Sequence, residues 1–106
     1  MLNNRRQNSR VNSSLPIDIQ VDSQITIKGQ IRDISDKSAF VILKSGIFLQ
    51  LNDEFVFLIK ITTDNLDKSV TGKARISRIE KGEGIAIYFT QMDDESSLRL
   101  RQLLGM

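Results

Sequence analysis

The chain has 106 residues, 40% of them hydrophobic and 26% charged, with a formal net charge of +2, the composition of one soluble globular domain and too short for two. It contains no cysteine and no histidine, which removes disulfides, thiolate metal sites, the commonest metal ligand and the commonest general base. A catalytic site would have to rest on carboxylates, lysine or the single tyrosine, so the expectation is a binding module and not an enzyme, with no metal and no cofactor. No apolar run approaches the roughly 20 residues of a membrane span, and the polar N-terminus lacks the apolar core of a signal peptide. The expected location is therefore the cytoplasm, without membrane insertion.

Residues 1–14 are polar and aperiodic, and Arg5, Arg6 and Arg10 are their only charges. Of the 15 basic residues three fall here, leaving 12 against 13 acidic ones. The basic excess is local, which points to a small anionic ligand more than to a long polyanion. We read this segment as an arm that orders on demand.

Pro16 opens an alternation of Ile17, Ile19 and Val21 against Asp18, Gln20 and Asp22, the pattern of a half-buried strand. After Asp22-Ser23-Gln24 a second alternation sets Ile25, Ile27, Gly29 and Ile31 against Thr26, Lys28, Gln30 and Arg32. Gly29 in mid-strand predicts a bend or bulge, as at a barrel corner. Asp33, Ser35, Asp36 and Ser38 are turn formers and end this strand. "AFVILK" (39–44) reads as a strand, Ser45-Gly46 as a turn, and "IFLQL" (47–51) as a strand or an irregular connector. Asn52-Asp53 makes a second turn.

Residues 54–62 alternate Phe55, Phe57, Ile59 and Ile61 and read as a strand whose two phenylalanines belong to the core. "TDNLDKS" (63–69) reads as a polar loop with solvated Asp64 and Asp67, residues 70–80 as a strand, and "KGEG" (81–84) as a hairpin turn. The last strand, 85–89, turns Ile85, Ile87 and Phe89 inward and Tyr88 outward. The period then changes. Leu100, Leu103 and Leu104 fall at i, i+3 and i+4 with Leu98 close to the same stripe, acids crowd the start, and Gly105 follows the end. This is a helix over 93–104, capped by Asp93 or Asp94, whose apolar stripe covers one open end of the sheet.

About six short strands without helical crossovers imply an antiparallel sheet, and in so short a chain closure into a barrel protects the edges. The 14 isoleucines suit such a core. The predicted organisation is all-β dominated: one domain over 1–106, with a ligand-binding arm (1–14), a six-stranded antiparallel β-barrel (15–90) and the C-terminal helix (93–104).

Two short motifs carry chemistry. Arg6 and Arg10 share a face whether the arm is helical or extended, and guanidinium groups match phosphate and stack on purines. Asp33 stands where the chain leaves the second strand, where a carboxylate can accept from guanine N–H groups and the Ser35 hydroxyl can serve the same edge. Alone, each motif reads as a solvated tail or a plain turn. If the first two strands form a hairpin, arm and turn meet at one barrel end, and three cations face a carboxylate and a hydroxyl.

"RRQNSR" followed by "DISDKS" resembles the paired motifs of PilZ domains, bacterial receptors for cyclic di-GMP: RxxxR in an N-terminal arm and (D/N)xSxxG after the second strand. "GKARISRIEKGEGIAIYF" is similar to the closing hairpin of that family, so the resemblance covers nearly the whole chain. It implies a six-stranded barrel that binds cyclic di-GMP through Arg6, Arg10, Asp33 and Ser35, with Ser38 at the motif's glycine. Arg5 precedes the motif, and in the family a basic residue there goes with an intercalated pair of ligand molecules. Serine at position 38 adds a Cβ, strained if φ is positive there, and so lowers the expected affinity.

The resemblance implies a second-messenger receptor and effector that orders its arginine arm over cyclic di-GMP and passes the signal to a protein partner, in motility or biofilm control. The alternative is a ligand-independent PilZ-like interaction module, such as a pilus or motility adaptor. A nucleic-acid-binding barrel ranks last, because six aromatics and near-neutral strands make a poor stacking platform. Asp93, Asp94 and Glu95 read as helix-cap acids and not as a metal site.

Overall fold

The computed structural model describes residues 10–43, 49–63 and 66–106. Seven strands precede one helix: β1 (Val11–Asn12), β2 (Pro16–Gln20), β3 (Thr26–Ile34), β4 (Ser38–Ile42), β5 (Glu54–Thr63), β6 (Leu66–Glu80), β7 (Gly84–Met92) and α1 (Asp94–Leu103). The sheet runs β1-β3-β2-β5-β6-β7-β4, and β4 pairs back on β3. The six strands β2–β7 therefore close an antiparallel barrel, as the sequence pattern predicts, and β1 lies outside it. Ile17, Ile19, Ile31, Phe57, Ile59, Ile76 and Ile87 are almost wholly buried inside, each contributing about 1.5–3 kcal/mol of transfer free energy.

Turn chemistry closes the hairpins. Asp22 Oδ1 accepts from the backbone N–H groups of Gln24 (2.8 Å) and Ile25 (3.0 Å) between β2 and β3. Gly82, with φ +83°, turns β6 into β7. Asn52, with φ +70°, supports the predicted second turn, where Asp53 N–H donates to the Gln50 carbonyl. Leu49 and Gln50 are irregular, and the predicted Ser45-Gly46 turn lies outside the described residues.

The loop expected over 63–69 is strand wherever it is described, at Thr63 and Leu66–Ser69, and Asp64 lies outside the described residues. Thr63 pairs with Leu66, Ile61 with Lys68 and Lys60 with Ser69. The β5–β6 ladder satisfies the backbone of these residues, so they are strand without the apolar alternation that marks one in sequence. The bulge expected at Gly29 is also displaced. β3 runs regularly past Gly29, which pairs with Ile17, and a Cβ there would stand 2.7 Å from the Val41 and Leu43 side chains.

The helix begins as expected, with Asp93 Oδ1 accepting from Ser96 N–H at 2.7 Å. It ends in a Schellman motif: Gly105 (φ +78°) donates to the Gln102 carbonyl and Met106 to the Arg101 carbonyl. Leu100 is buried and Leu103 and Leu104 pack partly against the core. Leu98 is 56% exposed, because two residues from Leu100 it sits about 200° around the helix. Beyond the last β6–β7 pair, Gly72 with Met92, α1 takes over the β6 edge. Thr71 N–H donates to Ser96 Oγ (3.1 Å) and Arg99 donates to the Ser69 carbonyl (2.9 Å).

Candidate functional site

β3 outruns β2, and its surplus edge recruits the preceding chain. Val11 pairs with Ile34 and Asn12 with Asp33, while Ile31 N–H donates to the Leu15 carbonyl and Ser13 N–H to the Arg32 carbonyl. The arm read over 1–14 is thus strand-like from Val11 onward, since unpaired β3 backbone groups offer a ready ladder. The hairpin argument brought arm and turn to one barrel end, and the observed pairing brings them into direct contact.

A β-bulge then aims the side chains. Ile31 pairs with Val41 but Asp33 with Phe40, so Arg32 is the extra residue. Strict alternation would turn Asp33 inward after Ile31. The bulge instead buries Ile34 and leaves Asp33 on the outer face beside Arg32. The sequence signal was the three-residue step from Ile31 to Ile34, which breaks the period of two.

Asp33 stands between two guanidiniums. Arg10 Nε donates to Oδ1 at 2.7 Å with Nη2 at 2.6 Å, and Arg32 Nε donates to Oδ2 at 2.8 Å. Arg10 Nη1 also donates to Ser38 Oγ at 2.7 Å. The Arg32 guanidinium lies 4.0 Å above the centre of the Phe40 ring, a cation–π contact that fixes its plane. Arg32 and Phe40 escaped the sequence reading, because the bulge and the β3–β4 pairing bring them to the site. Partial burial pushes the Asp33 carboxyl up, but hydrogen bonds from Arg32 and Arg10 and their charges outweigh it, so its pKa lies below the ordinary value. Arg32 is raised by its hydrogen bond to Asp33.

Ser35 lies within the turn itself. It is buried, and its Oγ accepts from the N–H groups of Lys37 (3.2 Å) and Ser38 (3.1 Å). Its own N–H donates to the Ser38 carbonyl at 2.8 Å. The hydroxyl is bonded within the turn and shapes it. Ser38 opens β4 opposite Tyr88, and Tyr88 is half-exposed, as expected. The backbone strain expected if φ were positive does not arise at Ser38: among the described residues Asn52 is the one non-glycine with positive φ. Arg5 and Arg6 lie outside the described residues.

The result is an outer surface with two guanidiniums to one carboxylate, and an open cavity of about 380 Å³ beside it is lined by Arg32 and Phe40. Among the described residues Arg10 uses Nε, Nη1 and Nη2 once each, three of its five N–H groups. The remaining N–H on each Nη has no partner among the described residues, and phosphate is an acceptor suited to such charged donors. An open cavity of about 400 Å³ lies between β7 and α1, lined by Asp36, Phe89 and Leu100 among others, and none of Arg10, Asp33 or Ser38 lines it.

Comparison with protein families matches residues 4–105 to the PilZ domain. Among solved structures, the Bacillus subtilis inhibitor of motility MotI/DgrA has a TM-score of 0.80 and 19% identity, covering 95% of this chain and 49% of that one. The PilZ domain with c-di-GMP of YcgR from Escherichia coli has a TM-score of 0.76 and 13% identity, covering 96% and 90%. The PilZ domain of CeSA from a cellulose-synthesizing bacterium has a TM-score of 0.63 and 23% identity, covering 92% and 96%. At these identities the likeness is one of fold, and the chain spans about half the length of the motility inhibitor. A search of curated protein sequences found no significant match.

Proposed function

This chain belongs to the PilZ domain family, and on that premise we propose that it is a receptor and effector for cyclic di-GMP. The observation that carries the reading is the hydrogen-bonded cluster of Arg10, Asp33 and Ser38, drawn from three separate segments onto one surface. In this reading the remaining N–H groups of Arg10 take a ligand phosphate. The remaining lone pairs of Asp33 accept from guanine N–H groups. Ser35 keeps the turn in shape.

Arg6 supplies the second arginine of the arm motif, and Arg5 favours an intercalated pair of ligand molecules. Ordering the arm over the ligand costs about 1–2 kcal/mol per residue, offset by charge-assisted bonds of roughly 1.5–3 kcal/mol each. Closure changes the surface offered to a protein partner. Titration calorimetry with cyclic di-GMP tests this: wild type gives heat at micromolar concentration, at one or two ligands per chain, and Arg6→Ala or Arg10→Ala abolishes it. A wild-type protein that gives no heat overturns the reading and favours a ligand-independent interaction module.

A further inference from the structure

Ser38 touches the arm as well as the turn. Its hydroxyl accepts from Arg10 Nη1 at 2.7 Å and lies 3.4 Å from Ser35 Oγ. Arg10's other anchor is a single atom, Asp33 Oδ1, which receives both Nε and Nη2. A guanidinium held at one oxygen can still swing about it. An anchor on a second strand fixes the plane, and Ser38 provides it from the start of β4, where Ser38 is paired with Tyr88.

Charge points the same way. Among the hydrogen-bonded side chains Asp33 carries one negative charge against Arg10 and Arg32, a surplus of one positive charge, while Glu80 and Glu83 act on the Arg32 side of the cluster. A carboxylate at position 38 would hold Arg10 but cancel that surplus. A hydroxyl holds it and leaves the charge intact, and a glycine would offer no side-chain acceptor.

We propose that Ser38 is a positioning residue for ligand capture: its hydroxyl bridges turn to arm and holds the Arg10 guanidinium with its remaining N–H groups ready for an anion. The inference rests on the receptor reading above and gives Ser38 a sign opposite to that expected for a substituted motif glycine. Pre-setting one long side chain is worth roughly three- to tenfold in affinity.

The test uses the full chain, cyclic di-GMP and two readouts. By calorimetry, Ser38→Gly weakens binding roughly three- to tenfold, Ser38→Thr stays within about twofold of wild type, and Ser38→Asp binds more weakly than Ser38→Gly. Binding by Ser38→Gly that equals or exceeds wild type overturns the proposal. The second readout needs no ligand: exchange of the Arg10 Nη1 protons, which Ser38 Oγ accepts from, followed by NMR, accelerates in Ser38→Gly and not in Ser38→Thr. Unchanged exchange in Ser38→Gly overturns the bridge itself. If wild type gives no heat, the receptor reading falls with the affinity role, while proton exchange still decides whether Ser38 holds Arg10.

Discussion

Two strands of this barrel outrun their neighbours, and the chain covers the two edges differently. Past the end of β2, β3 is covered by β1, and the side chains gathered there are half-exposed arginines around one carboxylate. Past the end of β7, β6 is covered by α1, with Ser96 and Leu100 buried against it. At the β6 edge polar groups are spent on partners within the fold. At the β3 edge Arg10 keeps donors facing outward. The same need to pair strand backbone gives closure in one place and a charged, half-exposed surface in the other.

If that contrast holds, damage at the helix edge reads out as stability and damage at the arm edge as binding. The largest effect is expected from Leu100→Ala, which empties a buried site and costs about 2–5 kcal/mol in urea denaturation, leaving the arginine cluster intact. Next comes Arg10→Ala, which removes roughly 1.5–3 kcal/mol of cyclic di-GMP binding but, as half of a partly exposed ion pair, about 1 kcal/mol or less of stability. Equal losses of binding and stability in that variant break the comparison. Ser96→Ala leaves the Thr71 N–H without its partner and costs about 1–3 kcal/mol by the same denaturation.

The smallest effect is in acid. The Asp33 carboxyl sits below its ordinary pKa in the folded chain. Its contribution is therefore present above the unfolded value near 3.9 and is lost as pH falls through the lower folded value. Thermal unfolding followed from about pH 6 to about pH 2.5 should fall less steeply over that acid window in Asp33→Asn than in wild type. Equal slopes there mean the two guanidiniums add nothing to folded stability through Asp33.

Much of the barrel was legible along the chain. Alternation marked β2, β3, β5 and β7, Asp22 and Gly82 marked their turns, and Asp93 with Gly105 marked the limits of α1. These are local signals, because period, cap and turn chemistry involve residues within a few positions of one another. The strand pairing of Lys60–Thr63 with Leu66–Ser69 was missed because that ladder needs no apolar face, and Leu98 was misplaced because proximity in sequence is not proximity on a helix. The motif residues Arg10, Asp33 and Ser35 were named from their chemistry, the expected hairpin and the family resemblance, and Ser38 from the resemblance.

By itself, then, the sequence determined that a short antiparallel barrel with a terminal helix would form and which polar residues stood out on it. Only the tertiary structure decided what those residues do to each other. The bulge at Arg32 turns Asp33 outward. The pairing of β1 with β3 brings Arg10 to a carboxylate 23 positions away, and the pairing of β3 with β4 sets Ser38 beside the same arginine and Phe40 beneath Arg32. These contacts depend on strand register, which is set by packing the whole core and not by any neighbour in the chain.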